Sequence, residues 1–180
     1  MALFIALLRG INVGSTRKVP MADLRALCGE LGFAQVESYI QSGNLVFTAS
    51  GKAAAVEDAL ENALEKRFGF AVAVLVRTPA QWAEYIQGNP LLEASEKEPN
   101  RVMLALSKAP PKKDAVEKLR ERATTERFEA AGDALWVHYA EGAGSSKLSP
   151  ALWDRLVGSP VTARNWRTVQ KLAELAGLSG

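Results

Sequence analysis

Val36-Glu37-Ser38-Tyr39-Ile40-Gln41-Ser42-Gly43-Asn44-Leu45-Val46-Phe47-Thr48 reads as two strands joined by a turn. Val36, Ser38 and Ile40 alternate with Glu37 and Tyr39, the period of a strand whose two faces differ. Gln41 to Asn44 is the turn, and Leu45 to Thr48 is the returning strand. Upstream, Pro20 opens a helix on which Met21, Leu24, Leu27, Cys28 and Leu31 recur at helical spacing, and Gly32 stops it. Further back, Ala2 to Leu8 is an almost continuous apolar run, the pattern of a central strand buried on both faces. Downstream, Val56, Leu60, Ala63, Leu64 and Phe68 mark a second amphipathic helix closed near Gly69. Phe70 to Val76 is a further apolar strand. The order is β-α-β-β-α-β, so the expected fold class is α+β with an N-terminal ferredoxin-like sandwich over residues 1–78.

Residues 79–100 read as a helix, Pro79 to Gln87, and a linker. The stretch Asn89 to Asn100 is charged, contains Pro99 and lacks apolar periodicity, which places a domain boundary there. Residues 101–180 read as a second, smaller α+β half with C-terminal helices. Val102 to Leu106 is a strand, and Pro110-Pro111 opens a helix carrying Val116, Leu119 and Ala123. Arg127 to Ala130 and Ala134 to Tyr139 form a hairpin around Gly132-Asp133. After the loop Gly142 to Ser146, one helix runs from Pro150 to Leu156 with Ser149 as its cap. Another runs from Asn165 to Ala176. The half begins β-α-β-β as the first does, but no final strand is visible, so an incomplete relative of the first half is expected.

The bulk chemistry excludes several classes. Of 180 residues, 48 % are hydrophobic, enough for a real core, and the net charge of +2 implies neither nucleic acid nor membrane by itself. From Gly142 onward five basic residues face two acidic ones. Cys28 and His138 are the sole cysteine and histidine. They permit no intrachain disulfide and no standard zinc site, so no metal and no cofactor are expected. Cys28, among leucines, reads as a small core hydrophobe. Met1 to Leu8 lacks the flanks of a signal peptide, and no apolar run is long enough to span a bilayer. A cytoplasmic protein without a membrane partner is the expectation.

Topology gathers the polar residues. In this order the third strand lies between the first and second, so the loop after Arg9 and the turn at Gln41 become neighbours. Arg9, Asn12, Gln41, Ser42 and Asn44 meet there, either satisfying the turns or forming a recognition edge. Gly10 to Gly14 is not a phosphate-binding P-loop, which needs four residues between its glycines and then a lysine; here there are three. A second cluster, Gly142 to Lys147, sets Ser146 and Lys147 close to a helix start, suited to an anion or to a solvated loop. A third, Thr162 to Arg167, puts Arg164, Asn165 and Arg167 at the start of the last helix, where cations oppose the helix dipole.

Ala6–Gly14, Val19–Arg25, Tyr39–Asn44, Ser146–Leu148, Thr162–Trp166 and Lys171–Leu175 together resemble the bacterial family called domain of unknown function 1697. The resemblance runs over essentially the whole chain. It implies a two-part α+β protein and supplies no activity. Ser15 departs from it, since members often have a second glycine there. The leading functional expectation is a binding protein for a phosphate-bearing or other anionic ligand, a nucleotide or nucleic acid among them. Arg9, Asn12, Gln41, Ser42 and Asn44 would form one polar surface, and Lys147, Arg164 and Arg167 would add positive charge. The alternatives are an enzyme acting on a small phosphorylated substrate, for which no general base stands out, and a protein-interaction module.

Overall fold

The computed structural model describes residues 1–178. The fold is mixed α+β, with two four-stranded antiparallel sheets and seven α-helices among the described residues. The chain divides into two compact units: Met1–Ala83 together with the chain from Leu172 onward, and Glu84–Lys171.

In the first unit β1 (Ala2–Leu8) pairs antiparallel with both β3 (Asn44–Ala49) and β4 (Val74–Arg77), and β2 (Ala34–Tyr39) completes the sheet on the far side of β3. The helices α1 (Met21–Glu30) and α2 (Ala53–Phe68) cover one face. Alternate strand residues Phe4, Ala6, Leu8, Leu45 and Phe47 meet Leu24, Cys28, Val56, Leu60 and Leu64 in one core. Ile5 and Leu7, on the opposite face, are also buried, which is why β1 is continuously apolar. The last strand is shorter than its apolar run implies. β1 ends at Leu8, and Arg9 N donates to Ala73 O (2.9 Å), so residues 70–72 have, among the described residues, no partner strand.

The outer edge of β4 is closed by carboxylates. Glu57 and Glu61, one helical turn apart on α2, accept from Val76 N and Val74 N, each at 2.9 Å. Unpaired edge amides invite pairing with another chain, and these two are occupied.

The helix α3 (Pro79–Gln87) follows. Thr78 Oγ1 accepts from Gln81 N (3.2 Å) and Gln81 Oε1 accepts from Thr78 N (2.9 Å), a reciprocal capping box. The stretch expected to be weakly structured instead holds α4 (Leu92–Lys97). Its Ser95 is buried, accepts from Asn89 Nδ2 (2.9 Å) and donates to Leu91 O (2.8 Å). A helix of under two turns, fixed by polar contacts, leaves no apolar periodicity to read.

The second unit corrects the expectation of an incomplete half. β5 (Val102–Ser107) lies between β7 (Ala134–Tyr139) and β8 (Val161–Asn165), with β6 (Glu126–Ala131) outside β7. Sheet order and element order therefore repeat those of the first unit. The registers match as well: Ile5 pairs with Val46 and Arg77, and Leu104 pairs with Trp136 and Arg164. The helices α5 (Ala115–Arg122) and α6 (Pro150–Val157) cover one face, packing Leu119, Trp153 and Leu156 on Phe128, Leu135 and Val137. Pro110 to Asp114 precedes α5 as a loop rather than opening the helix. Ser149 Oγ caps α6 by accepting from Leu152 N (3.2 Å). Asp154 Oδ1 accepts from Val161 N (2.9 Å), so a carboxylate meets the edge strand here too. The final helix is α7 (Trp166–Leu175).

Candidate functional site

The connection between β1 and α1 is built by two side chains. Asn12, at φ 55°, uses its whole amide: Nδ2 donates to Val19 O (2.9 Å) and Gln41 O (2.8 Å), and Oδ1 accepts from Val19 N (2.8 Å). Asparagine tolerates this left-handed backbone better than most residues. Arg17, at φ 54°, folds back over the loop. Its Nε donates to Gly10 O (2.7 Å), its Nη2 to Ala71 O (2.8 Å), and its guanidinium lies 4.9 Å from the Phe70 ring centre. Asn12 N donates to Arg17 O (2.9 Å) and closes the base of the loop.

The facing turn is equally constrained. Gly43 is buried at φ 89°, and a Cβ there would lie 2.8 Å from both Leu8 Cβ and Ile11 Cδ1, so only glycine fits. Asn44 is fully buried and donates to Tyr39 O (2.9 Å) and Ser42 Oγ (3.0 Å). Ile40 holds φ 50° while half exposed, a strained backbone for a β-branched residue. The structure thus brings Asn12, Gln41, Ser42 and Asn44 together at the edge reached by Arg9, and it spends Asn12 and Asn44 on building that edge.

What the loop presents outward is backbone. Val13, Gly14, Ser15 and Thr16 are exposed. Among the described residues their amides, and the Ser15 and Thr16 hydroxyls, make no hydrogen bond. Arg9 is half-buried and Lys18 exposed beside them.

The second cluster has the opposite character. In the 142–147 loop, Gly142 N donates to Tyr139 O (2.9 Å), Ser145 N to Gly142 O (3.3 Å) and Ser146 N to Ala143 O (3.1 Å). Ser145 Oγ donates to Glu141 O (2.6 Å), and Ser146 Oγ accepts from Leu148 N (3.2 Å). Burial would push the Glu126 carboxyl up, but hydrogen bonds from Thr124, Ser146 and neighbouring amides outweigh it and hold the group below its ordinary range. Burial, aided by the Glu126 charge, pushes Tyr139 up to about 12. Lys147 is exposed at the loop's end.

The third cluster requires a correction. Arg164 lies not at a helix start but inside β8, and it is buried. Its Nη1 donates to Thr162 Oγ1 (2.6 Å) and Ala163 O (3.0 Å), and burial pulls its pKa down to about 10. Asn165 Oδ1 caps α7 by accepting from Thr168 N (2.9 Å), and Arg167 Nε donates to Asn100 Oδ1 (3.1 Å). Two further groups are structural. Cys28 is fully buried, which pushes its thiol up to about 12, and His138 meets Glu98 Oε1 at 3.0 Å.

Arg17 is the site residue that the sequence reading does not single out; glycine-flanked backbone amides at this edge are part of that reading. One signal for Arg17 was present: a lone arginine in a glycine-containing loop, followed at Phe70 by an aromatic before a strand.

Among the described residues no group of three His, Cys, Asp or Glu side chains is placed to hold a metal ion, and no helix is long and apolar enough to cross a membrane. No curated protein matches the chain. Among solved structures, the chain is similar to the conserved bacterial protein SP0830 from Streptococcus pneumoniae, with 25 % identity and a TM-score of 0.75. That similarity covers 97 % of this chain and 98 % of the other. The family described as "Protein of unknown function (DUF1697)" matches residues 1–136, which takes in the whole β1–α1 connection and its facing turn, and this chain belongs to that family.

Proposed function

We propose that the protein binds a phosphate-bearing or similar anionic ligand on the loop between β1 and α1, with the amides of Val13 to Thr16 as its cradle. The carrying observation is that these four consecutive residues are exposed and that, among the described residues, their amides have no acceptor, in a loop locked by Asn12 and Arg17. Left-handed residues punctuating a loop turn successive N–H groups toward one side, an arrangement suited to anions. Gly10, Asn12, Gly14 and Arg17 all have positive φ. Arg9 and Lys18 would add charge, and Gln41 and Ser42 polar contacts from the turn. Asn12, Arg17 and Asn44 act as positioning residues. The proposal is confined to the first unit; Ser146, Lys147, Arg164, Asn165 and Arg167 are not part of it. The repeated β-α-β-β-α-β order and the sheet order also support reading each unit as ferredoxin-like, a scaffold that carries function in its loops.

The test is calorimetric titration of inorganic pyrophosphate at low and high salt. Binding should be measurable at low salt, weaken as salt rises, and fall about tenfold in Arg17→Ala, which frees the loop while leaving the core intact. Lys147→Ala should bind as wild type does. Absence of binding at low salt, or loss through Lys147→Ala and not Arg17→Ala, would overturn the reading. A protein-interaction role is the second reading, favoured by the exposure of Val13 and Ile40 at this edge.

A further inference from the structure

Among the described residues four large apolar side chains are exposed: Met1, Val13, Ile40 and Leu92. Two of them stand at the edge that carries the amide cradle. Val13 is 66 % exposed and Ile40 50 %. The hydrogen bond from Asn12 Nδ2 to Gln41 O (2.8 Å) ties the residue before Val13 to the residue after Ile40. Apolar side chains scattered singly over a surface are ordinary, but two set side by side through a built contact are not scattered.

Ile40 is held there against its own preference. Its φ of 50° is left-handed, where a β-branched side chain crowds the backbone. Asparagine takes this conformation more readily, as Asn12 does at φ 55°. The turn thus keeps a strained isoleucine with half of its surface in solvent. Backbone strain of this kind collects at ligand sites. The space over the loop is also open: a Cβ built on Gly14, between Val13 and Ser15, would meet nothing within 4 Å. A molecule bound head-first to these amides therefore has room for its body, with the Val13 side chain beside it.

We propose that the ligand is a phosphate monoester with an apolar, ring-sized body. Its phosphate takes the amides of Val13 to Thr16, and its body lies on the Val13 and Ile40 side chains. This ligand class rests on the reading of the loop as an anion cradle and adds what the head is attached to. Amides alone bond any phosphate in the same way. Branched aliphatic surface favours an apolar body over a hydroxyl-rich one, whose hydroxyls would lose water there without gaining partners.

Phenyl phosphate, inorganic phosphate and phenol are the probes, titrated into the full chain at low salt and read by calorimetry and methyl NMR. Inorganic pyrophosphate is the check on the cradle. Phenyl phosphate should bind about tenfold more tightly than inorganic phosphate, the increment that covering part of two aliphatic side chains supplies. It should also move the Val13 and Ile40 methyl signals, and phenol should not bind at the same concentrations. Ile40→Asn suits the backbone of the turn, so its melting temperature should hold or rise. In it the preference for phenyl phosphate should fall to about threefold or less, and Val13→Ser should act in the same direction. Equal binding of phenyl phosphate and inorganic phosphate, with pyrophosphate still bound, would overturn the ligand class and leave the cradle standing. A preference undiminished in both variants, or phenol binding as tightly as phenyl phosphate, would overturn it too. Failure of pyrophosphate and of both phosphates to bind would remove the cradle and the ligand class together.

Discussion

The two units share their element order, sheet order and central-strand register, yet differ in the connection that leaves the central strand. After β1 that connection is held by side chains, Asn12 and Arg17, which occupy its carbonyls and leave four amides outward. After β5 it is held by Pro110 and Pro111, by the Ser107 and Ser159 hydroxyls and by backbone. Ala109 N donates to Ser159 Oγ (3.0 Å) and Lys112 N to Val157 O (2.9 Å). The comparison teaches that the scaffold is common and the loop chemistry is local. A polar cage presents amides in the first unit, and a proline-stiffened turn is tied to the end of α6 in the second.

The hairpin turns give the largest contrast. Gly43→Ala should destabilise by about 3 kcal/mol, combining the left-handed backbone penalty with a collision against Leu8 and Ile11. Gly132→Ala, at φ 59° with open space around it, should cost about 1 kcal/mol. Equal losses in chemical denaturation would show that the first turn is not packed as described. Next, Asn12→Ala should cost about 2 kcal/mol through its three side-chain hydrogen bonds, against about 0.5–1 kcal/mol for Pro111→Ala, which acts through the unfolded chain.

The pH dependence separates the units as well. The Cys28 thiol lies at about 12 in the folded protein against an ordinary 9.0, so between these values the unfolded chain has lost a proton that the native state keeps. The Cys28 contribution should therefore be fully present below pH 9 and be lost as pH rises, by about 1.4 kcal/mol per pH unit for this one proton, while Arg164, lowered to about 10 from 12.5, acts in the opposite direction above pH 10. Tyr139 follows only above its ordinary value of 10.0. The slope between pH 9 and 10 should vanish in Cys28→Ala and persist in Tyr139→Phe. Small effects concern the shared edge. Glu57→Ala and Asp154→Ala should each cost about 1 kcal/mol, because each frees one amide on an outer strand that water can reach.

Periodicity made most of the scaffold legible. The apolar run of β1, the spacing on α1 and α2 and the alternation before Gln41 mark elements whose burial is decided by side-chain polarity. β8 escaped because Thr162, Arg164 and Asn165 make it look like a polar lead-in to a helix, although the ladder with β5 buries Arg164. α4 escaped because Asn89 and Ser95 hold it by hydrogen bonds rather than by an apolar stripe. At the site, topology alone placed Asn12 beside Gln41. It did not reveal that Asn12 and Asn44 serve the backbone, because a side-chain amide looks the same whether it faces a ligand or a carbonyl.

The most direct measurement is an amide-resolved NMR titration with inorganic pyrophosphate at low salt, comparing residues 13–16 with residues 142–147. The two loops are similar in composition, and their difference lies in whether their amides are already bonded. The signals of Val13, Gly14, Ser15 and Thr16 should move together along one saturable curve, while those of Gly142, Ser145 and Ser146 stay in place. Movement of the 142–147 loop with residues 13–16 unchanged, or no saturable shift in either, would contradict the assignment of the anion site to the β1–α1 connection.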